Sequence, residues 1–222
     1  MRPSQVTGIE VLEDLSAKSR LDEGYLRLKR LRCRNLHADG TTSREYKVDV
    51  IHRPTLDAVA VLVYRRGPRG LEFLTRTTLR PAAYFRKDIP GGAPTPDAFL
   101  FVEEIVAGVL EMGELSAAGV RQRAAEEVHE ESGYSVSESE VQVLGEPPFV
   151  AAGVLSERIY MTACDVTGKP QAPPPGDGSP LEEGGQLFWR SGPELLAACR
   201  AGVVPDVKAE IALTRFLARQ TA

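Results

Sequence analysis

The spacing of apolar and polar positions changes along the chain, and each change marks an element. Tyr25–Arg34 and Arg44–Ile51 flank the turn-rich segment HADGTTS, which predicts a β-hairpin. The run LDAVAVLVYRR (Leu56–Arg66) is nearly continuous in apolar and β-branched residues, the pattern of a strand buried on both faces. A turn at Gly67, Pro68 and Gly70 leads into LEFLTRTTL (Leu71–Leu79), the next strand. Asp88–Pro96 is a loop rich in proline and glycine, and FLFVEEIVAGV (Phe99–Val109) predicts one further strand. From Ser116 to Ser132 the spacing becomes helical, with Gly133 as the glycine that ends the helix.

Beyond that helix, short strands are predicted at Val141–Leu144, Arg158–Cys164 and Leu187–Trp189. Gly168–Gly185 carries too many prolines for regular structure. Pro193–Ala201 and Val207–Arg219 close the chain as helices, and no internal repeat is present. These elements predict an α+β fold with a mainly antiparallel or mixed sheet and few helices.

Composition narrows the classes. The 222 residues are 42% hydrophobic and 26% charged, as in globular domains with a sizeable core. The formal net charge is −4, against the concentrated basic face that nucleic acid requires. The one basic cluster, Arg27 to Arg34, is interleaved with Leu26, Leu28, Leu31 and Cys33 and reads as a strand with a solvated face. Three dispersed cysteines and three dispersed histidines form neither a disulfide framework nor a zinc motif. No apolar run reaches membrane-spanning length, so a cytoplasmic protein with no membrane partner is expected.

Candidate chemistry concentrates in one helix. At about 100° per residue, Glu127 and Glu131 lie about 40° apart, and Glu130 lies about 60° from Glu127 on the other side. Like charges at this spacing repel, and the C-terminal half of a helix disfavours anions. A solvated acidic face paired with Arg121 and Arg123 is one explanation; a bound cation is the other. Mg²⁺ takes oxygen ligands, commonly one or two carboxylates with substrate phosphates and water.

This stretch resembles the Nudix hydrolase signature, G-x5-E-x7-R-E-U-x-E-E-x-G-U, where U is a bulky apolar residue. EVHEESGY (Glu127–Tyr134) matches the second half, and Gly108 and Glu114 match the first. Eleven residues instead of seven follow Glu114, and Glu126 stands at the position of the signature arginine; Arg123, one turn earlier, is the candidate to take its part. Further matches are similar to the branch that cleaves ADP-ribose and nucleoside-diphosphate sugars. TLRPA (Thr78–Ala82) is similar to its Q-Y-R-P-A, and EIVAG (Glu104–Gly108) to its E-L-P-A-G. HRP (His52–Pro54) precedes them, and GVLSE (Gly153–Glu157) and the tail Glu194–Ala218 follow, in matching order.

The resemblance implies a Nudix α/β/α sandwich at residues 55–222 and an N-terminal strand and hairpin region at 1–54 that exchanges between protomers of a homodimer. It implies Mg²⁺, or Mn²⁺, held by the Ala107 carbonyl with Glu127, Glu130 and Glu131. Arg80 would neutralise the substrate diphosphate, with Arg53, Glu157 and Glu104 as further substrate-binding candidates. Glu182 and Glu183, beside Gly184 and Gly185, are candidates for the general base on a loop that closes. Two function classes follow: a pyrophosphatase that releases a nucleoside monophosphate and a sugar phosphate, or a module of the same fold that binds a nucleotide sugar without turnover.

Overall fold

Strand β4 (Ala58–Gly67) organises the larger of two compact units. In this computed structural model, residues 6–14, 25–68, 70–92, 99–182 and 184–220 are described. The larger unit spans Asp57–Pro148 and Ile159–Ala222. Its seven-stranded sheet runs β10 (Leu187–Ser191), β5 (Gly70–Leu79), β4, β9 (Ile159–Asp165) and β8 (Gln142–Val143), with β6 (Phe101–Glu104) on β5 and β7 (Val106–Val109) on β4. β4 is parallel to β9 and antiparallel to β5, so the sheet is mixed.

Alternation along β4 sorts its side chains onto two faces. Val59, Val61 and Val63 pack with Leu74 against Val120, Ala124 and Val128 of α2 (Ala117–Ser132). From the other face, Tyr64 and Phe73 stack with Phe216 of α4 (Val207–Gln220), at centroid distances of 4.7 and 5.6 Å to the Phe216 ring. α3 (Gly192–Arg200) packs beside α4, and a capping box at Ser191 and Glu194 starts it. Helices on both faces explain why β4 is apolar and buried from Ala58 to Val63.

The predicted strand Phe99–Val109 is two strands. β4 and β5 pair only from Tyr64–Phe73 to Gly67–Gly70 and then part. The chain crosses there, giving β6 to β5 and β7 to β4. Ile105 marks the change of partner: it is fully buried, and its N–H donates to Asp206 Oδ2 at 3.1 Å. A short helix, α1 (Pro81–Tyr84), and a 3-10 turn at Phe85–Asp88 follow β5, in a stretch to which the sequence pattern assigns no element.

The smaller unit spans Met1–Leu56 and Phe149–Arg158. The predicted hairpin is present as β2 (Arg27–His37) and β3 (Tyr46–His52), and β1 (Val6–Asp14) adds a strand to β2. Two arginines of the basic cluster on β2 are paired across the sheet. Arg30 pairs with Asp49 at 3.0 Å, and Arg32 reaches Glu45 at 3.0 Å and Glu13 at 3.2 Å. Among the described residues, no helix is long and apolar enough to cross a membrane.

Candidate active site

Helix α2 delivers its carboxylates on its buried stripe. Ser116 caps the start, its Oγ accepting from the Gly119 N–H at 3.1 Å, and Gly133 ends the helix in the left-handed region at φ 74°. The buried positions Val120, Ala124, Glu127 and Val128 continue one turn later to Glu131, so two glutamates extend an otherwise apolar face.

Strand β7 receives them. Alternate backbone groups of β7 point away from β4 and toward the helix: the Ala107 N–H donates to Glu131 Oε2 at 3.0 Å, and the Val109 carbonyl accepts from Arg123 Nε at 3.2 Å. In a strand, the N–H and C=O of one residue lie on the same side, so the Ala107 carbonyl faces this side as well. Gly108 lies between them. A Cβ there would fall 1.6 Å from Glu127 Oε1, so only glycine lets that carboxylate rest on the strand.

Two guanidinium groups balance the buried carboxylates. Arg123 Nε lies 3.2 Å from Glu127 Oε1, and its Nη1 bonds Glu126 Oε2 at 3.2 Å. Arg76, on β5, pairs its Nη1 with Glu131 and directs both Nη atoms at Glu182 Oε1, at 3.2 and 3.3 Å. Burial pushes the Glu127 carboxyl up to about 7; Arg123 opposes the shift and Glu130 adds to it. Burial likewise pushes Glu131 up to about 8, against the pull of Arg76 and the Ala107 N–H.

A cleft of about 260 Å³ opens over these groups, walled by Arg80, Ala107, Gly108, Glu127, Glu130 and Glu131, with Asp177 and Glu182 on its far side. A neighbouring cavity of about 420 Å³ shares Glu130, Glu131 and Glu182 and adds Arg76. Glu182 sits in a 3-10 turn (Pro180–Glu182), and its second oxygen accepts from the Asp177 N–H at 2.9 Å. The proline-rich segment before it is tied to the end of α2. The Ala172 N–H donates to the Gly133 carbonyl at 3.0 Å, Gln171 Nε2 to the Ser132 carbonyl at 2.9 Å, and the Gly176 N–H to the Glu130 carbonyl at 2.9 Å. The segment therefore works as a strap that satisfies carbonyls at the helix end.

The expected residues that the structure describes fall into three groups. Glu127, Glu130, Glu131, Ala107, Arg80 and Glu182 meet at the cleft. Glu104 is buried behind it, where it binds Arg80, through Nε at 3.3 Å, and Lys208 at 3.5 Å. Arg53 and Glu157 pair with each other inside the smaller unit, with Arg53 Nε also on the Thr55 carbonyl at 2.7 Å. Glu183 lies outside the described residues.

Arg76 joins these residues at the site, and no motif in the sequence marks it. A signal was present: Arg76 and Thr78 alternate along the end of β5 and Arg80 follows directly after it at the same spacing, so a face assigned through Arg80 includes Arg76.

A hard divalent cation suits the donors present, which are carboxylate oxygens and a strand carbonyl over a glycine seat. Among the described residues, no three carboxylate, histidine or cysteine side chains are drawn around one point to hold a metal. Glu127 and Glu131 are turned to Arg123 and Arg76 instead.

No family model matches the chain, and no curated protein matches it. A solved structure described as an ADP compounds hydrolase is similar to it, with a TM-score of 0.51 and 13% identity, over 99% of this chain and 94% of that one. An Ap4A hydrolase from C. elegans gives a TM-score of 0.43 and 14% identity, over 74% of this chain and 98% of its own. The first likeness shows a shared α+β fold with a mixed sheet.

Proposed function

We propose that this chain is a Nudix-type hydrolase that cleaves the diphosphate of ADP-ribose or a nucleoside-diphosphate sugar, releasing a nucleoside monophosphate and a sugar phosphate. The observation that carries the reading is the pair Glu127, buried, and Glu131, largely buried, one turn apart on α2 and set against the backbone of β7 at Ala107 and Gly108. The fold shared with an ADP compounds hydrolase supports it.

Glu127 and Glu131, with Glu130 and the Ala107 carbonyl, would hold Mg²⁺ or Mn²⁺. When bound, such an ion supplies electrostatic stabilisation of the diphosphate and a water of lowered pKa. Arg80 is half exposed in the cleft wall and would bind diphosphate oxygens, with Glu104 holding its guanidinium through Nε and Nη2 and Lys208 holding Glu104 in turn. Glu182 faces the same cleft and would take the proton of the attacking water; Glu183 is the neighbouring candidate. Arg123 stands in for the signature arginine, because its guanidinium orients Glu127. A homodimer built through the N-terminal region and a cytoplasmic setting belong to the same proposal.

The test is monophosphate release from ADP-ribose, UDP-glucose, ADP-glucose and GDP-mannose with Mg²⁺, and again with EDTA. Metal-dependent turnover of one compound is expected. Ligand-induced thermal stabilisation with no product from any compound would favour the binding module.

A further inference from the structure

Both oxygens of Glu131 are already engaged. Oε2 takes the Ala107 N–H, which the pairing of β7 with β4 holds in place, and Oε1 takes Arg76. A cation approaching Glu131 Oε1 therefore meets the guanidinium there, and the two positive charges compete for the same oxygen. Arg76 can release it without losing all its partners, because both of its Nη atoms also reach Glu182 Oε1. The arginine cannot leave the site: its residue is 6% exposed, and its strand is paired on both edges, with Leu187 and Glu104 opposite. An arginine keeps its charge even when buried, so this counter-charge is permanent.

We infer that Arg76 is a built-in counter-cation that holds Glu131 in the metal-free protein and competes with the divalent ion for it. Arg76 is thus a positioning residue that sets metal affinity, an inference that rests on the proposed metal-dependent hydrolase. Removing one positive charge at contact distance from the cation's ligand should tighten metal binding by about tenfold or more.

The experiment is a Mn²⁺ titration of wild type and Arg76→Gln, followed by calorimetry, with the melting temperature of each in EDTA. Tighter Mn²⁺ binding by a folded Arg76→Gln protein, together with a lower melting temperature in EDTA, is the expected result. Unchanged or weaker binding by the folded variant overturns the inference. Wild type that binds no Mn²⁺ overturns the metal-dependent reading itself, which separates the two failures. Wild type labelled with ¹⁵N-arginine keeps the question open to test if the glutamine variant does not fold. Mg²⁺ should then shift the Arg76 guanidinium resonance, assigned with Arg76→Lys, at the midpoint of binding; a resonance that does not move overturns the inference.

Discussion

Arg123 Nε lies 3.2 Å from Glu127 Oε1, one helical turn earlier on α2, and the same guanidinium reaches the Val109 carbonyl on β7. One side chain thus fixes the glutamate and joins the helix to the strand on which that glutamate rests. Replacing Arg123 with alanine should destabilise the fold by about 2 kcal/mol. That is below the cost of breaking a fully buried pair, because the guanidinium keeps some contact with solvent. Arg123→Lys should recover part of the stability and less of the turnover, since an ammonium cannot fork between Glu126, Glu127 and the carbonyl. Urea denaturation beside a turnover assay checks both; equal stability of Arg123→Ala and wild type would contradict the assignment.

Gly108→Ala places a methyl group where the Glu127 carboxylate sits. Strand β7 can carry an alanine at this φ, so the fold should persist while Glu127 is pushed aside. A loss of about a hundredfold in kcat/KM is expected, as for a catalytic group displaced by roughly 1 Å. A folded Gly108→Ala protein with wild-type kinetics would remove Glu127 from the mechanism.

Stability without metal should depend on pH in an unusual direction for a carboxylate. Glu127 and Glu131 are raised to about 7 and about 8 in the fold, from an ordinary value of 4.5. The folded state binds their protons more tightly than the unfolded chain does. Their favourable contribution is therefore complete below the ordinary value and is lost as pH rises through about 7 and then about 8. Melting in EDTA should occur at a lower temperature at pH 8.5 than at pH 5.5, and saturating Mg²⁺ should flatten that slope by taking up the ionised pair. A metal-free melting temperature that climbs across this window would refute the prediction.

Gly133→Ala tests the strap. Gly133 has φ 74°, and a Cβ there would meet the Ala172 carbonyl oxygen at 1.9 Å. The left-handed conformation alone costs about 1–2 kcal/mol with a side chain, and the clash should also lift the segment that carries Glu182. Limited proteolysis within Gly168–Gly185 should become faster than in wild type, with lower kcat. Unchanged cleavage would mean that the hydrogen bonds to Gly133 and Ser132 do not hold the segment down.

The local signals in the sequence led to most elements. Leu56–Arg66 yields β4 because a strand covered by helices on both faces needs no polar alternation, and Ser116 with Gly133 brackets α2. The glutamates were legible because Glu127, Glu130 and Glu131 depend on spacing within one helix. Phe99–Val109 read as one strand because its interruption at Ile105 comes from elsewhere: the parting of β4 and β5, and Asp206 just before α4. Arg76 stayed hidden for the same kind of reason. A lone arginine in TRTTL carries no sign that α2 and the turn at Glu182 both converge on it. Gly168–Gly185 was legible as irregular from its prolines, but its hydrogen bonds from Gln171, Ala172 and Gly176 to the end of α2 leave no mark in the local sequence.

The change of partner at Ile105 has a price outside catalysis. It leaves β7 bonded to β4 along one edge, while its other edge presents the Ala107 N–H and carbonyl and the Val109 carbonyl, with no neighbouring strand among the described residues. Exposed edges of this kind recruit strands from other molecules. Here Glu131 takes the Ala107 N–H and Arg123 takes the Val109 carbonyl, so the side chains read as active-site groups also shield the sheet from self-association. Variants that strip both residues should be lost to aggregation as readily as to inactivity.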